Sequence, residues 1–198
     1  MSAADIEVEL RAPLTRDDVV RINAYLEQNG ATLKEDRERT NYLYDCDDFS
    51  SGRDLRVKET NGVTKLSLKI GGWGDVDREE IEWELGEGET QKALRFLAAT
   101  GCVSGKSSQQ HAMIWDYKGY ELAVVEWNGG DMNYLEIESI YPLGATEEQR
   151  EQLHEAMRAV FKELEVNEFT TEAYEAFLDE MSGKGVVFSV ESPLRPQS

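Results

Sequence analysis

The chain has 198 residues, 40% of them hydrophobic and 31% charged, which suits one globular domain with a full apolar core and leaves no Pro-, Ser- or Gly-rich stretch to act as an internal linker. Its 40 acidic residues against 21 basic ones give a formal net charge of -19, which repels nucleic acid and anionic membrane surfaces and excludes a function resting on a general basic patch. No run approaches the roughly 20 apolar residues of a membrane span, and no apolar segment follows the small, acidic start, so the expected location is cytoplasmic.

In chain order, Ile6, Val8 and Leu10 alternate with Glu7, Glu9 and Arg11, a period of two that marks a strand with one apolar and one charged face. Behind Pro13 and the cap residue Thr15, the helical spacing of Val19, Ile22, Tyr25 and Leu26 predicts a helix over residues 15–29, stopped by Asn29 and Gly30. The Asn61-Gly62 pair predicts a hairpin between strands at 54–59 and 63–70. Gly71, Gly72 and Gly74 around Trp73 form a turn rather than a phosphate loop, because no G-K-[ST] follows, and a strand runs from Arg78 to Leu85. A helix at 89–99 precedes a second hairpin, 112–117 and 120–127 about Lys118-Gly119, and a strand at 133–140. Helices at 146–164 and 171–181 follow, and the β-prone 186–190 is expected to add an edge strand or stay mobile. The expected unit is a single domain over 1–198, with its core at 5–181 and a tail at 182–198.

Cys46 and Cys102 form no C-x-x-C and read as core or spectator thiols; His111 and His154 lack the spacing of a metal pair and have no nucleophile motif beside them. The polar face of the strands is unusually regular: Glu7, Glu9 and Arg11; Arg56 and Lys58; Ser67 and Lys69; Arg78, Glu80, Glu82 and Glu84; Glu136 and Glu138. Periodicity leaves two arrangements open, an open antiparallel sheet with water on this face or a closed barrel with the charges inside. Inside a barrel, acids and bases in a confined volume make sense only around ions or a ligand.

Glu7-Val8-Glu9-Leu10-Arg11 resembles the E-x-E-x-K signature that opens the CYTH family of triphosphate tunnel metalloenzymes, and further motifs follow in the family's order. Arg39 to Asp45 is similar to its strand ending in tyrosine and aspartate, Leu55-Arg56-Val57-Lys58 to its L-R-x-[RK] strand, and Leu66 to Lys69 to its lysine-bearing strand. Arg78-Glu79-Glu80-Ile81-Glu82 is similar to R-x-E-x-E, Tyr134 to Glu138 to the closing strand with paired glutamates, and Thr171 to Leu178 to a terminal helix bearing a tyrosine, here Tyr174. Departures are Arg11 in place of lysine, Ser107, Ser108 and Gln109 where a second basic residue after Lys106 is usual, and Glu126 where aspartate is usual.

The resemblance implies an α+β fold, a closed eight-stranded antiparallel barrel with helices packed outside. It implies a Mg2+ or Mn2+ site at Glu7, Glu9, Glu136, Glu138 and Glu80, and triphosphate binding by Arg11, Arg39, Arg56, Lys58, Lys69, Arg78 and Lys106. Catalytic roles fall to Glu7, Glu9, Arg11 and Glu82. The implied activity is metal-dependent hydrolysis of inorganic triphosphate, thiamine triphosphate or a nucleotide, by a monomer or homodimer with no nucleic-acid or membrane partner. Alternatives are class IV adenylyl cyclase chemistry, giving cyclic AMP and pyrophosphate from ATP, or a weakened triphosphate binder. Arginine offers a planar fork where lysine is a compact point charge, so the change at residue 11 bears on catalysis more than on binding.

Overall fold

The alternation at the start of the chain produces strand β1 (Asp5–Leu14), with Val8, Leu10 and Ala12 buried on one face and Glu7, Glu9 and Arg11 on the other. The structure is a computed structural model and describes residues 5–44, 52–71, 77–142 and 144–191. Eight further strands are β2 (Thr32–Tyr44), β3 (Arg53–Thr60), β4 (Val63–Ile70), β5 (Asp77–Glu87), β6 (Ser104–Tyr117), β7 (Tyr120–Trp127), β8 (Met132–Pro142) and β9 (Val186–Ser189). They form one antiparallel sheet in the order β2-β3-β4-β5-β1-β8-β7-β6-β9. On its other side β2 pairs with β6, from Thr32 opposite Asp116 to Tyr44 opposite Gly105. The β3–β4 turn has both Asn61 (φ 47°) and Gly62 (φ 86°) in the left-handed region, as a two-residue hairpin loop requires.

Four helices complete the α+β fold: α1 (Arg16–Gln28), α2 (Thr90–Ala99), α3 (Glu147–Glu163) and α4 (Thr171–Lys184). Helix α1 opens on a capping box in which the Thr15 hydroxyl accepts from the Asp18 amide and the Asp18 carboxylate accepts from the Thr15 amide. Its Val19, Ile22 and Leu26 join Met157, Val160 and Phe161 of α3 over Leu10, Trp115, Leu122 and Ile137, the main core. Helix α2 packs Ala93, Leu94 and Leu97 against Val57 and its neighbours. Among the described residues no helix is long and apolar enough to cross a membrane.

Two findings differ from the sequence reading. Strand β2 begins at Thr32 and β6 at Ser104, each well before the segment the sequence marks, because their mutual pairing holds polar residues extended where no apolar alternation exists. Helix α4 does not join the other three: Phe177 and Met181, with Phe169, pack on Ala112, Ile114, Ala123, Val125 and Tyr134, on the face that carries Glu136 and Glu138. Of the two readings of 186–190, the structure has the edge strand: β9 pairs with Ser104 to Ser107 of β6. Asp45, Cys46 and Gly72 to Gly74 lie outside the described residues.

Gly105 sits where β2, β6 and β9 meet, and a Cβ there would lie 2.0 Å from the Leu43 carbonyl oxygen. Gly105→Ala is expected to destabilise the fold by about 1–3 kcal/mol through overpacking, read as a lowered urea midpoint; an unchanged midpoint would mean the β2–β6 ladder separates at no cost.

Candidate functional site

Antiparallel register places Glu9 opposite Glu138 and Arg11 opposite Glu136 across β1 and β8, so the alternating acids of two strands share one face. Glu7, Glu9 and Glu138 each bring a carboxylate oxygen to within 4.8 Å of the others. Burial, then repulsion from Glu9, pushes the Glu7 carboxyl up to about 9. Burial and Glu136 raise Glu138 to about 7, partly offset by a hydrogen bond with Glu7. Three hard oxygen donors, two of them pushed toward the protonated form for want of a stronger cation, fit a divalent ion of the Mg2+ or Mn2+ type. Glu136 and Glu80 are not in that group; each is engaged by basic side chains.

Lys69 Nζ donates to Glu9 at 2.7 Å and Glu7 at 3.0 Å and lies 3.3 Å from Glu80. Lys58 Nζ donates to Glu80 at 2.7 Å and Glu82 at 2.8 Å. Both lysines are nearly buried, at 6% and 7% exposure for Lys58 and Lys69, so each depends on its acids to remain charged. Burial opposes the Lys69 charge, but Glu9, Glu80 and Glu7 outweigh it and hold the ammonium well above its usual value. Burial likewise opposes ionisation of Glu80, yet Lys58, Lys69 and the Ser67 hydroxyl, which donates at 2.6 Å, hold it well below the carboxylate range. Glu82 shares the direction and the Lys58 cause.

Arg11 spans two acids, donating from Nε to Glu136 at 2.6 Å and from a terminal nitrogen to Glu9, with its guanidinium 5.5 Å from the centre of the Tyr174 ring. Arg56 is forked onto the buried Asp54, with Nε donating at 2.7 Å. Arg39 donates to the Thr60 hydroxyl at 2.9 Å, and Lys106 to the Ser182 carbonyl at 2.7 Å; among the described residues neither has a carboxylate within ion-pair distance. Burial and the neighbouring Arg37 lower the Arg39 guanidinium from its usual value, the mark of a positive charge short of counter-charge. Arg78 lies on β5 opposite Glu7, but its side chain is outside the description.

The charged network borders a cavity of about 150 Å³ lined by Arg11, Arg56 and Lys106 and also by Asn41, Trp127 and Phe177. The sequence reading passed over Asp54 and Asn41. Asp54 stands two residues before Arg56 and shares its face, a signal that alternation carries; nothing local marks Asn41. Glu126 Oε2 lies 3.3 Å from His111 Nδ1, as acceptor, on the face of Leu122 and Val124, away from this network.

No sequence-family model and no curated protein matches the chain. Its fold has counterparts among solved structures. A candidate adenylate cyclase from Vibrio parahaemolyticus matches with a TM-score of 0.67 at 14% identity, over 88% of this chain and 98% of its own. The protein PH1819 from Pyrococcus horikoshii matches at 0.66 and 23% identity, again over 88% and 98%. A candidate adenylyl cyclase from Hippeastrum, described as having a dominant triphosphatase activity, matches at 0.64 and 18% identity over 89% and 95%. The chain shares its fold with these proteins.

The raised carboxyls set a pH dependence. The folded values of about 9 for Glu7 and about 7 for Glu138 exceed the roughly 4.3 of an unfolded glutamate, so the folded chain binds more protons and this contribution to stability is lost as pH rises. In EDTA the melting temperature of the wild type is expected to fall from about pH 5 to pH 9 more steeply than that of Glu7→Gln, and Mn2+ should raise it more at about pH 8.5 than at pH 6. Parallel wild-type and Glu7→Gln profiles in a pH series of thermal melts would contradict this assignment.

Proposed function

We propose that this chain is a CYTH-type triphosphate tunnel enzyme, in which strands β1 to β8 close into a barrel and the enclosed face hydrolyses the terminal phosphoanhydride of a triphosphate-containing small molecule with Mg2+ or Mn2+. The pairing of β2 with β6, which gives each of the eight strands a neighbour on both sides, supports closure. The observation that carries the reading is the convergence of Glu7, Glu9 and Glu138 within 4.8 Å, joined by Lys69 to Glu80 and through Glu80 to Lys58. Acid cluster and base cluster thus meet without an intervening layer, as a cation-bound polyanion requires.

On this reading Glu7, Glu9 and Glu138 hold the divalent ion, with Glu136 and Glu80 at its margin. When bound, that ion would offset charge on the phosphate oxygens and acidify a coordinated water. Arg11, Arg39, Arg56, Lys58, Lys69, Arg78 and Lys106 are assigned to the phosphate chain; among the described residues Arg39 and Lys106 have no acid partner to exchange for it. Glu82, the more exposed of the two carboxylates on Lys58, is ionised at neutral pH and is the proposed acceptor for the attacking water's proton. Exclusion of bulk water by the buried lysines strengthens each of these interactions.

The test is orthophosphate and pyrophosphate release from inorganic triphosphate, thiamine triphosphate and ATP, each with Mg2+ and with Mn2+. Metal-dependent orthophosphate release is expected, reduced about 100-fold or more in Glu7→Gln and in Glu138→Gln. Pyrophosphate with cyclic AMP from ATP would replace hydrolysis by cyclisation. Tight triphosphate binding with no turnover in either metal would leave a binder.

A further inference from the structure

Strand β5 is paired along one edge only. From Lys65 opposite Glu84 to Ile70 opposite Glu79 its backbone is bonded to β4, whereas its ladder with β1 consists of Glu7 opposite Arg78 and Val8 opposite Asp77. Among the described residues, the other edge of Glu79 to Leu85 therefore has no strand beside it, and no turn or helix end takes up its amides and carbonyls. The regular stretch ends at Gly86 (φ 109°) and the register shift between Thr64 and Lys65. A row of unpaired N–H and C=O groups is a template for a further strand.

The side chains on this stretch add a pattern to the free edge. On the outer face Trp83 stands opposite Leu66 and Ile81 opposite Leu68. Leu66 and Leu85 join the apolar cluster under α2, but Trp83 and Ile81 remain 66% and 52% exposed. On the charged face Glu82 and Glu84 alternate with them. Lys65 comes to 3.3 Å from Glu82, while the exposed Glu84 has no cation within ion-pair distance among the described residues.

This alternation selects the occupant. Residues directly opposite each other in an antiparallel sheet share a face, so a second copy of β5 on this edge would set its glutamates against Glu82 and Glu84, and like charges so opposed are destabilising. The net charge of -19 adds to the repulsion between copies. A strand that alternates apolar and basic residues meets no such conflict. We propose that the free edge of β5 is a docking site for an extended segment of a partner protein with alternating apolar and basic residues, bound by strand addition. The partner's backbone continues the ladder, its apolar side chains cover Trp83 and Ile81, and its basic ones face Glu82 and Glu84. Trp83 is the anchor, since a large exposed ring gains most from being covered. The edge and its outer face are available whether or not the charged face binds a triphosphate.

The probe is an end-blocked heptapeptide of alternating lysine and valine. It is compared with the same peptide N-methylated along its backbone, which keeps the side chains and loses the donors, and with a version carrying glutamate for lysine. Binding is read by fluorescence anisotropy, and its place by hydrogen exchange of residues 79–85. The lysine–valine peptide is expected to bind and to slow exchange in 79–85; N-methylation and Trp83→Thr should each weaken it at least about tenfold, and the glutamate version should not bind. No binding, equal binding of the N-methylated peptide, or protection elsewhere than 79–85 overturns the proposal, the last two leaving charge attraction alone. A dimer in sedimentation equilibrium that Trp83→Thr dissolves overturns it in favour of a second copy. The peptide series on the wild type decides without the variant, and threonine, itself strand-favouring, at this exposed position keeps the fold.

Discussion

Carboxylates crowded out of water repel one another, and the inner face of this sheet is organised by how that repulsion is offset. Glu7, Glu9, Glu80, Glu136 and Glu138 come together because three neighbouring strands, β1, β5 and β8, present their polar sides to the same space. Lys69 between Glu7, Glu9 and Glu80, Lys58 between Glu80 and Glu82, and Arg11 between Glu9 and Glu136 are the available counter-charges. They do not suffice at one corner, where Glu7 and Glu138 retain protons at pH values that ionise any exposed glutamate. The shortfall localises the proposed metal site more sharply than the count of acids does, since most acids on this face already have a cation.

Period-two alternation made the inner face legible wherever the opposite side of the strand is apolar, as in Glu7, Glu9 and Arg11 against Val8 and Leu10. It failed for Lys34 to Glu38 and for Ser104 to Gln110, polar runs without alternation of their own that are held extended by the β2–β6 ladder, Glu35 to Glu38 opposite Ile114 to His111 and Gly105 to Gln110 opposite Tyr44 to Arg39. Those two stretches carry the pairing on which closure of the barrel would depend. Local sequence therefore could mark the charged walls but not the seam. Helix α4 was legible as a helix and not as to its place: Phe177 and Met181 read equally well toward either face, and only the small, apolar inner positions of β6 and β7 select one. Asn41 carries no local signal at all, because an asparagine in a strand is noticed only once its surroundings are known to lack a donor.

The arginine at position 11 is intelligible in the same terms. A lysine there would present one ammonium to Glu9 and Glu136, whereas the guanidinium reaches both at once from different nitrogens and lays its face toward Tyr174 of α4. The residue thus ties β1, β8 and α4 together, and any phosphate it contacts competes with two carboxylates. The serines and glutamine after Lys106 point the same way: Lys106 itself is turned to the Ser182 carbonyl, so β6 contributes less positive charge to the charged face than the motif it resembles would. What the strand lacks in charge it has in apolar surface.

These substitutions of partner give the proposed binding reaction its thermodynamic form. Lys69 is spent on Glu7 and Glu9 so long as nothing else neutralises them, and those glutamates hold protons or Lys69 so long as no divalent ion is present. A cation taken up by Glu7, Glu9 and Glu138 would release Lys69 toward a polyanion, and a polyanion taking Lys69 would leave the glutamates in greater need of the cation. Each ligand therefore raises the affinity for the other by the same factor, apart from any direct bond between them. A face that is nearly self-neutral when empty avoids the cost of unpaired buried charge and still becomes a strong site when both ligands arrive, and its acid–base pairs are best understood as occupants to be exchanged.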